Sequence, residues 1–141
     1  MGLFDFLFGD SSAKDERPRV FISFAIEDEK YRDFLVRQGK DSRTPFEFID
    51  MSVKEPYMQK EWKDKCRTRI RRCHGVIVLL STNTYHSSGA RWEIKCAKED
   101  GIPIIGMHIK KNDKGAIPPE LKGKRVINWT WENVDKFIKS L

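Results

Sequence analysis

Gly75-Val-Ile-Val-Leu-Leu80 runs directly into Ser81-Thr-Asn-Thr-Tyr85-His-Ser-Ser-Gly-Ala-Arg91-Trp-Glu-Ile94, and the change of pattern at Ser81 decides the fold. The first stretch is uninterruptedly apolar, the signature of a central strand covered on both faces. The second is small and polar, then takes up helical character over Ala90 to Asp100, with Gly101 placed to end the helix. Strand, loop and helix in that order make half of a parallel crossover unit. Glu93 would stand in the first turn of the helix and project toward the carboxyl edge of the sheet, where open α/β folds bind their ligands.

Upstream, Arg19-Val-Phe-Ile-Ser-Phe24 has the β-branched and aromatic bias of a buried strand. Ala25 to Asp28 leads from it into a helix over Glu29 to Gln38, in which Tyr31, Phe34 and Leu35 recur at helical spacing. Gly39 is placed to stop that helix. Pro45 to Asp50 reads as a second strand and Met51 to Tyr57 as a loop. Met58, Trp62, Cys66, Ile70 and Cys73 then form one apolar stripe on a helix, whose remaining Lys and Arg are dispersed as on a solvated face. Downstream, Ile102 to Ile109 is a strand with Pro103 near its start, and Lys110 to Gly123 is a long polar loop. Arg125 to Asn128 is a short strand and Trp131 to Leu141 a closing helix. This alternation predicts an α/β, flavodoxin-like doubly wound sheet of about five parallel strands in the order 2-1-3-4-5.

A chain of 141 residues has room for one domain and one continuous core. The sequence divides into an N-terminal apolar segment and polar linker over 1–17 and a domain over 18–141. Hydrophobic residues at 39% and charged residues at 34% suit a globular protein with a charged exterior. The formal charge of +6 favours phosphorylated or polyanionic partners. It identifies no specific nucleic acid. An odd number of cysteines without a CxxC pair predicts thiols in a reducing compartment. No run approaches the length of a transmembrane segment, Met1 to Gly9 lacks the basic leader of a secretory signal, and Phe6 stands where a myristoylation motif wants Ser or Thr. A cytoplasmic address is expected. Leu3, Phe4, Phe6, Leu7 and Phe8 would dock on the domain, on a second subunit or on a membrane surface.

In the predicted strand order, the crevice opens between the first and third strands. The loops 25–28, 50–57 and 81–90 meet there, which would gather Phe24, Ile26, Asp50, Ser87, Trp92 and Glu93 around one pocket. Aromatic and apolar groups hold a flat base or a nicotinamide ring, and a carboxylate orients a ribose hydroxyl or stabilises positive charge. Cleavage of a nicotinamide glycosidic bond suits such a site. The pyridinium needs no general acid, and an oxocarbenium-like transition state gains from one nearby negative charge, where ordinary glycoside hydrolysis uses two carboxylates. The bland alternative is a first-turn carboxylate stabilised by the helix macrodipole; spacing alone leaves both open. His74, His86 and His108 fall on separate elements without ligand-like spacing, so no metal site is expected. His108 reads as a hydrogen-bonded core or rim residue. Ser87 and Ser88 lack the His-Asp partnership of a nucleophile and read as helix caps. A phospho-receiver needs a phosphorylatable Asp where Ser81 stands.

Arg19 to Phe24, Phe46-Glu-Phe-Ile-Asp50-Met-Ser52, Gly75 to Ser81, Arg91-Trp92-Glu93-Ile94 and Ile104 to Ile109, taken in register, resemble a TIR-like domain of the bacterial branch found in the Thoeris anti-phage system. The resemblance covers about 18–110. It implies consumption of NAD⁺ as substrate, with no further cofactor, to release, cyclise or conjugate ADP-ribose as a signal. That signal would act on a separate effector protein, and self-association through TIR-like surfaces would complete the site. Glu93 takes the place of the catalytic glutamate, Phe24 that of the first-strand aromatic, and Asp50 and Ser52 open the loop after the second strand. Ser87 keeps the expected spacing to Glu93. Gly89 and Ala90 depart from the pattern, standing where many TIR domains carry Trp-Cys; Trp92 would compensate from a different angle. A non-catalytic TIR-like scaffold is the alternative, and a nucleoside deoxyribosyltransferase-like enzyme with Glu93 as nucleophile is a third reading.

Overall fold

The computed structural model describes residues 17–41, 46–49 and 60–141. Five strands, β1 (Arg19–Ser23), β2 (Glu47–Ile49), β3 (Gly75–Leu80), β4 (Ile104–His108) and β5 (Arg125–Asn128), form one sheet in the order β2-β1-β3-β4-β5. Every pairing is parallel, as the strand–helix alternation requires. Among the described residues four α-helices cover it: α1 (Glu29–Asp41), α2 (Lys60–Arg71), α3 (Ser88–Glu99) and α4 (Trp131–Lys139).

The two-residue period of a strand sorts the core into two layers. Val76, Val78 and Leu80 of β3 point with Phe21 toward Cys66 and Ile70 of α2 and Ile94 and Ala97 of α3. Ile77 and Leu79 point with Val20 and Ile22 toward Leu35 of α1 and Val134 and Ile138 of α4. All six residues of β3 are buried, as its unbroken apolar run demands.

Several boundaries differ from the sequence expectation. Helix α1 continues through Gly39 to Asp41. Gly39 serves close packing there: a Cβ would come within 2.5 Å of the Phe46 ring. Of the expected second strand, Glu47–Ile49 is strand and Phe46 is not, while Pro45 and Asp50 lie outside the described residues; β1 ends at Ser23, ahead of Phe24. Trp62, Cys66 and Ile70 keep the expected stripe on α2, while Cys73 lies beyond the helix end yet still in the same core; Met58 lies outside the described residues. The loop before β5 contains a 3-10 turn, Pro119–Leu121, whose Leu121 is buried. Gly101 does end α3, with φ of 72°. His108 is buried at the end of β4, in the core or rim position expected of it, and its Nδ1 has no hydrogen-bond partner among the described residues. Burial, helped by Lys114, pushes its pKa below the usual imidazole value. All three cysteines are buried free thiols. No helix among the described residues is long and apolar enough to cross a membrane.

Candidate active site

Helix α3 begins two residues earlier than its apolar pattern suggests because Ser87 is its N-cap: the Ser87 hydroxyl accepts from the Ala90 N–H at 3.1 Å. The expected capping role of Ser87 is thereby realised, while Ser88 is the first helical residue. The shift changes the reading of Glu93. It lies in the second turn, not the first, and faces the sheet at 5% exposure. The macrodipole account of a solvated first-turn carboxylate therefore falls.

Burying a carboxylate is costly unless donors meet it. Ser23, two residues after Phe21 on the same face of β1, donates its hydroxyl to Glu93 Oε1 at 2.7 Å. Cys66 of α2 turns its thiol toward Oε2 at 3.8 Å. Burial, and then the Glu93 charge, raise the Cys66 pKa far above the usual thiol value, so the sulfur keeps its proton as a donor. One donor on each oxygen fixes the orientation of the carboxylate.

Glu93 lines a cavity of about 110 Å³ together with Phe24, Ile26, Trp62, Asn83, His86 and Ser87. Gly89 and Ala90 open it by having little side chain. Phe24 is braced by the Arg32 guanidinium, 5.0 Å from its ring centre. Behind the mouth, the buried Asp28 carboxylate accepts from the Ser81 hydroxyl at 2.5 Å and from Asn83 Nδ2 at 3.1 Å. Ser81 in turn accepts from the Asn83 N–H at 2.9 Å. This network locks the β1–α1 turn to the β3–α3 loop, and it uses Asp28 and Ser81 as a tie where a receiver domain would carry out phosphorylation.

Of the residues anticipated for the pocket, Phe24, Ile26, Ser87 and Glu93 share the cavity. Asp50 and Ser52 lie outside the described residues. Trp92 does not enter it. Its indole donates to the Lys63 carbonyl at 3.4 Å and lines an adjoining concavity of about 380 Å³ with Lys63, Tyr85, Arg91, Lys95 and Glu120. His86 borders both spaces. The indole on the cavity wall belongs instead to Trp62, which the apolar stripe had assigned only to the core. In a parallel crossover the first turn of the helix sits at the carboxyl edge of the sheet, and that position was the signal for Trp62. Ser23 and Cys66 carried no comparable signal.

Comparison with curated proteins finds no match. Residues 21–114 match the family described as Thoeris protein ThsB, TIR-like domain. The match runs from β1 to the loop after β4, and so includes the crevice, the Ser81 loop and Glu93. This span, with the parallel 2-1-3-4-5 sheet, establishes that the chain belongs to the ThsB TIR-like family of Thoeris proteins.

Proposed function

We propose that the protein cleaves the nicotinamide glycosidic bond of NAD⁺ and makes an ADP-ribose-derived signalling nucleotide in anti-phage defence. The observation that carries this reading is the Glu93 carboxylate, buried at a cavity wall and held by a donor on each oxygen. The cavity has the size of one ring rather than of a whole dinucleotide, since sites for drug-sized ligands span roughly 300–1,000 Å³. Phe24 and Trp62 offer apolar aromatic surface for the nicotinamide, and Glu93 offers negative charge to the ribose.

In the reaction, the bond from ribose C1′ to the pyridinium nitrogen breaks and its electron pair leaves with neutral nicotinamide. Positive charge grows on C1′ and the ring oxygen, and the fixed Glu93 carboxylate stabilises it. Water, or a nucleophile from the substrate itself, then bonds to C1′ and gives up its proton. Water yields linear ADP-ribose; an internal nucleophile yields a cyclic product.

The test is nicotinamide release from NAD⁺, followed chromatographically with mass analysis of the second product, with lysates from infected and uninfected cells as activators. Glu93→Gln keeps the shape and removes the charge, so it should fold normally and lose activity by roughly 10²–10³-fold, the usual cost of one electrostatic stabiliser. Full turnover by the variant, or no nicotinamide from wild type with either lysate, rejects the proposal. Nucleosides run beside NAD⁺ as substrates separate it from deoxyribosyl transfer.

A further inference from the structure

The cavity at Glu93 leaves most of a dinucleotide unaccommodated, and the space next to it has the opposite chemistry. Across His86, the concavity of about 380 Å³ carries Lys63, Arg91 and Lys95 around Trp92. Lys63 Nζ stands 4.8 Å and Lys95 Nζ 5.7 Å from the Trp92 ring centre. Arg91 is already engaged: its Nε reaches Glu120 at 2.9 and 3.2 Å, and its guanidinium lies 5.1 Å from the Tyr85 ring. The two lysines differ. Among the described residues neither joins an ion pair, so the charge offered to a ligand is theirs.

Fixed geometry accompanies the charge. The indole N–H of Trp92 is bonded to the Lys63 carbonyl, which ties α3 to α2 beneath the lysines. The Arg91–Glu120 pair holds the far wall, between α3 and the 3-10 turn before β5. Both spaces are bordered by α3, Glu93 on its inward side and Trp92 and Lys95 on its outward side.

We infer that this concavity is the subsite for the adenosine diphosphate part of the substrate, with Lys63 and Lys95 countering the two phosphates and the Trp92 and Tyr85 rings flanking the remainder. This rests on the NAD⁺ reading of Glu93. The dinucleotide then straddles His86, ring in the small cavity and diphosphate outside it. The lysines supply binding energy at a distance from the bond that breaks, which is how remote contacts hold a reacting centre in place.

The experiment compares NAD⁺ with nicotinamide riboside, which has the scissile bond but no phosphate and no adenosine. In the Lys63→Gln/Lys95→Gln double variant, kcat/KM for NAD⁺ should fall about tenfold or more, the worth of a charge-assisted contact, and that for nicotinamide riboside should not change. Lys95 is exposed and Lys63 half-buried, and neither joins an ion pair among the described residues, so the double variant should keep its fold, checked by a melting temperature within a few degrees of wild type. An unchanged kcat/KM for NAD⁺, or an equal loss with both substrates, overturns the inference while leaving the role of Glu93 intact. Independently of turnover, ADP-ribose titrated into the full chain should shift the Trp92 indole N–H resonance saturably. That shift should weaken about tenfold in the double variant. If wild type releases no nicotinamide but this shift is present, the subsite stands and the reaction assignment falls; if the shift is absent, the subsite falls.

Discussion

A carboxylate at 5% exposure is maintained only by the groups that meet its oxygens, and for Glu93 those include the Ser23 hydroxyl and the Cys66 thiol. Each of these comes from a different element, β1 and α2, so the orientation of the putting-in-place helix α3 alone does not determine where the charge sits. Ser23→Ala removes the 2.7 Å bond and leaves a buried oxygen less satisfied. The expected cost is about 1–3 kcal/mol of stability, read as a lowered melting temperature. On the proposed NAD⁺ reading, nicotinamide release should slow by roughly tenfold, since the charge would no longer be held against the ribose. Release at the wild-type rate would show that the hydroxyl does not position Glu93. The carboxylate itself was legible in the sequence, because the strand-to-helix run around residue 81 marks the crevice. Its donors were not: Ser23 lies 70 residues away and Cys66 27, and only sheet pairing and helix packing bring them together.

Helices α2 and α3 form the wall that carries both halves of the proposed site, and their far ends are clamped by charge. Arg67 Nη2 reaches Glu99 at 3.0 Å and Asp100 at 3.1 Å, and Arg71 Nε reaches Asp100 at 3.0 Å. Asp100 caps the carboxyl end of α3, where the macrodipole disfavours an anion; the two guanidinium groups offset that. Hydrogen bonding from Arg67, joined by Arg71, holds its pKa below the usual carboxylate value of 3.8. A depressed folded-state pKa means stabilisation that is complete above the unfolded pKa and disappears as pH falls through the folded one. Asp100→Asn should therefore lower the melting temperature at pH 7 by about 2–5 °C, and the gap to wild type should close in melts taken progressively below about pH 4. A gap that persists undiminished at acid pH would assign the effect to something other than the ionised carboxylate. At this scale the element order was readable from periodicity, whereas the boundaries obeyed local contacts. The Ser87 cap started α3 at Ser88, and the Phe46 ring kept Gly39 inside α1. The first of these matters for the proposed site, because it places Glu93 in the second turn of α3 as a buried group.

The described lining of the small cavity comes from the β1–α1 turn, the start of α2, the β3–α3 connection and the first two turns of α3, all at the carboxyl edge of one sheet. The strand order was legible because an unbroken apolar run such as Gly75 to Leu80 is stable only when helices cover both of its faces. The adjoining concavity was not, since Glu120 reaches Arg91 from a turn 29 residues further along the chain. Because β3 contributes to both apolar layers, neither layer has a sheet of its own to keep if the other melts. Ile70 of α2 and Ile138 of α4 probe the opposite faces, and both are almost wholly buried, at 0% and 2% exposure. Ile70→Ala and Ile138→Ala should each cost about 2–5 kcal/mol while preserving one cooperative transition, with calorimetric and van't Hoff enthalpies in agreement. Two resolved transitions in either variant would mean that the layers fold separately. In that event the Ser23–Glu93 bond, which spans β1 and α3 within the first layer, would be governed by that layer's stability alone, and Ile138→Ala would leave nicotinamide release unaffected up to the temperature at which the first layer itself melts.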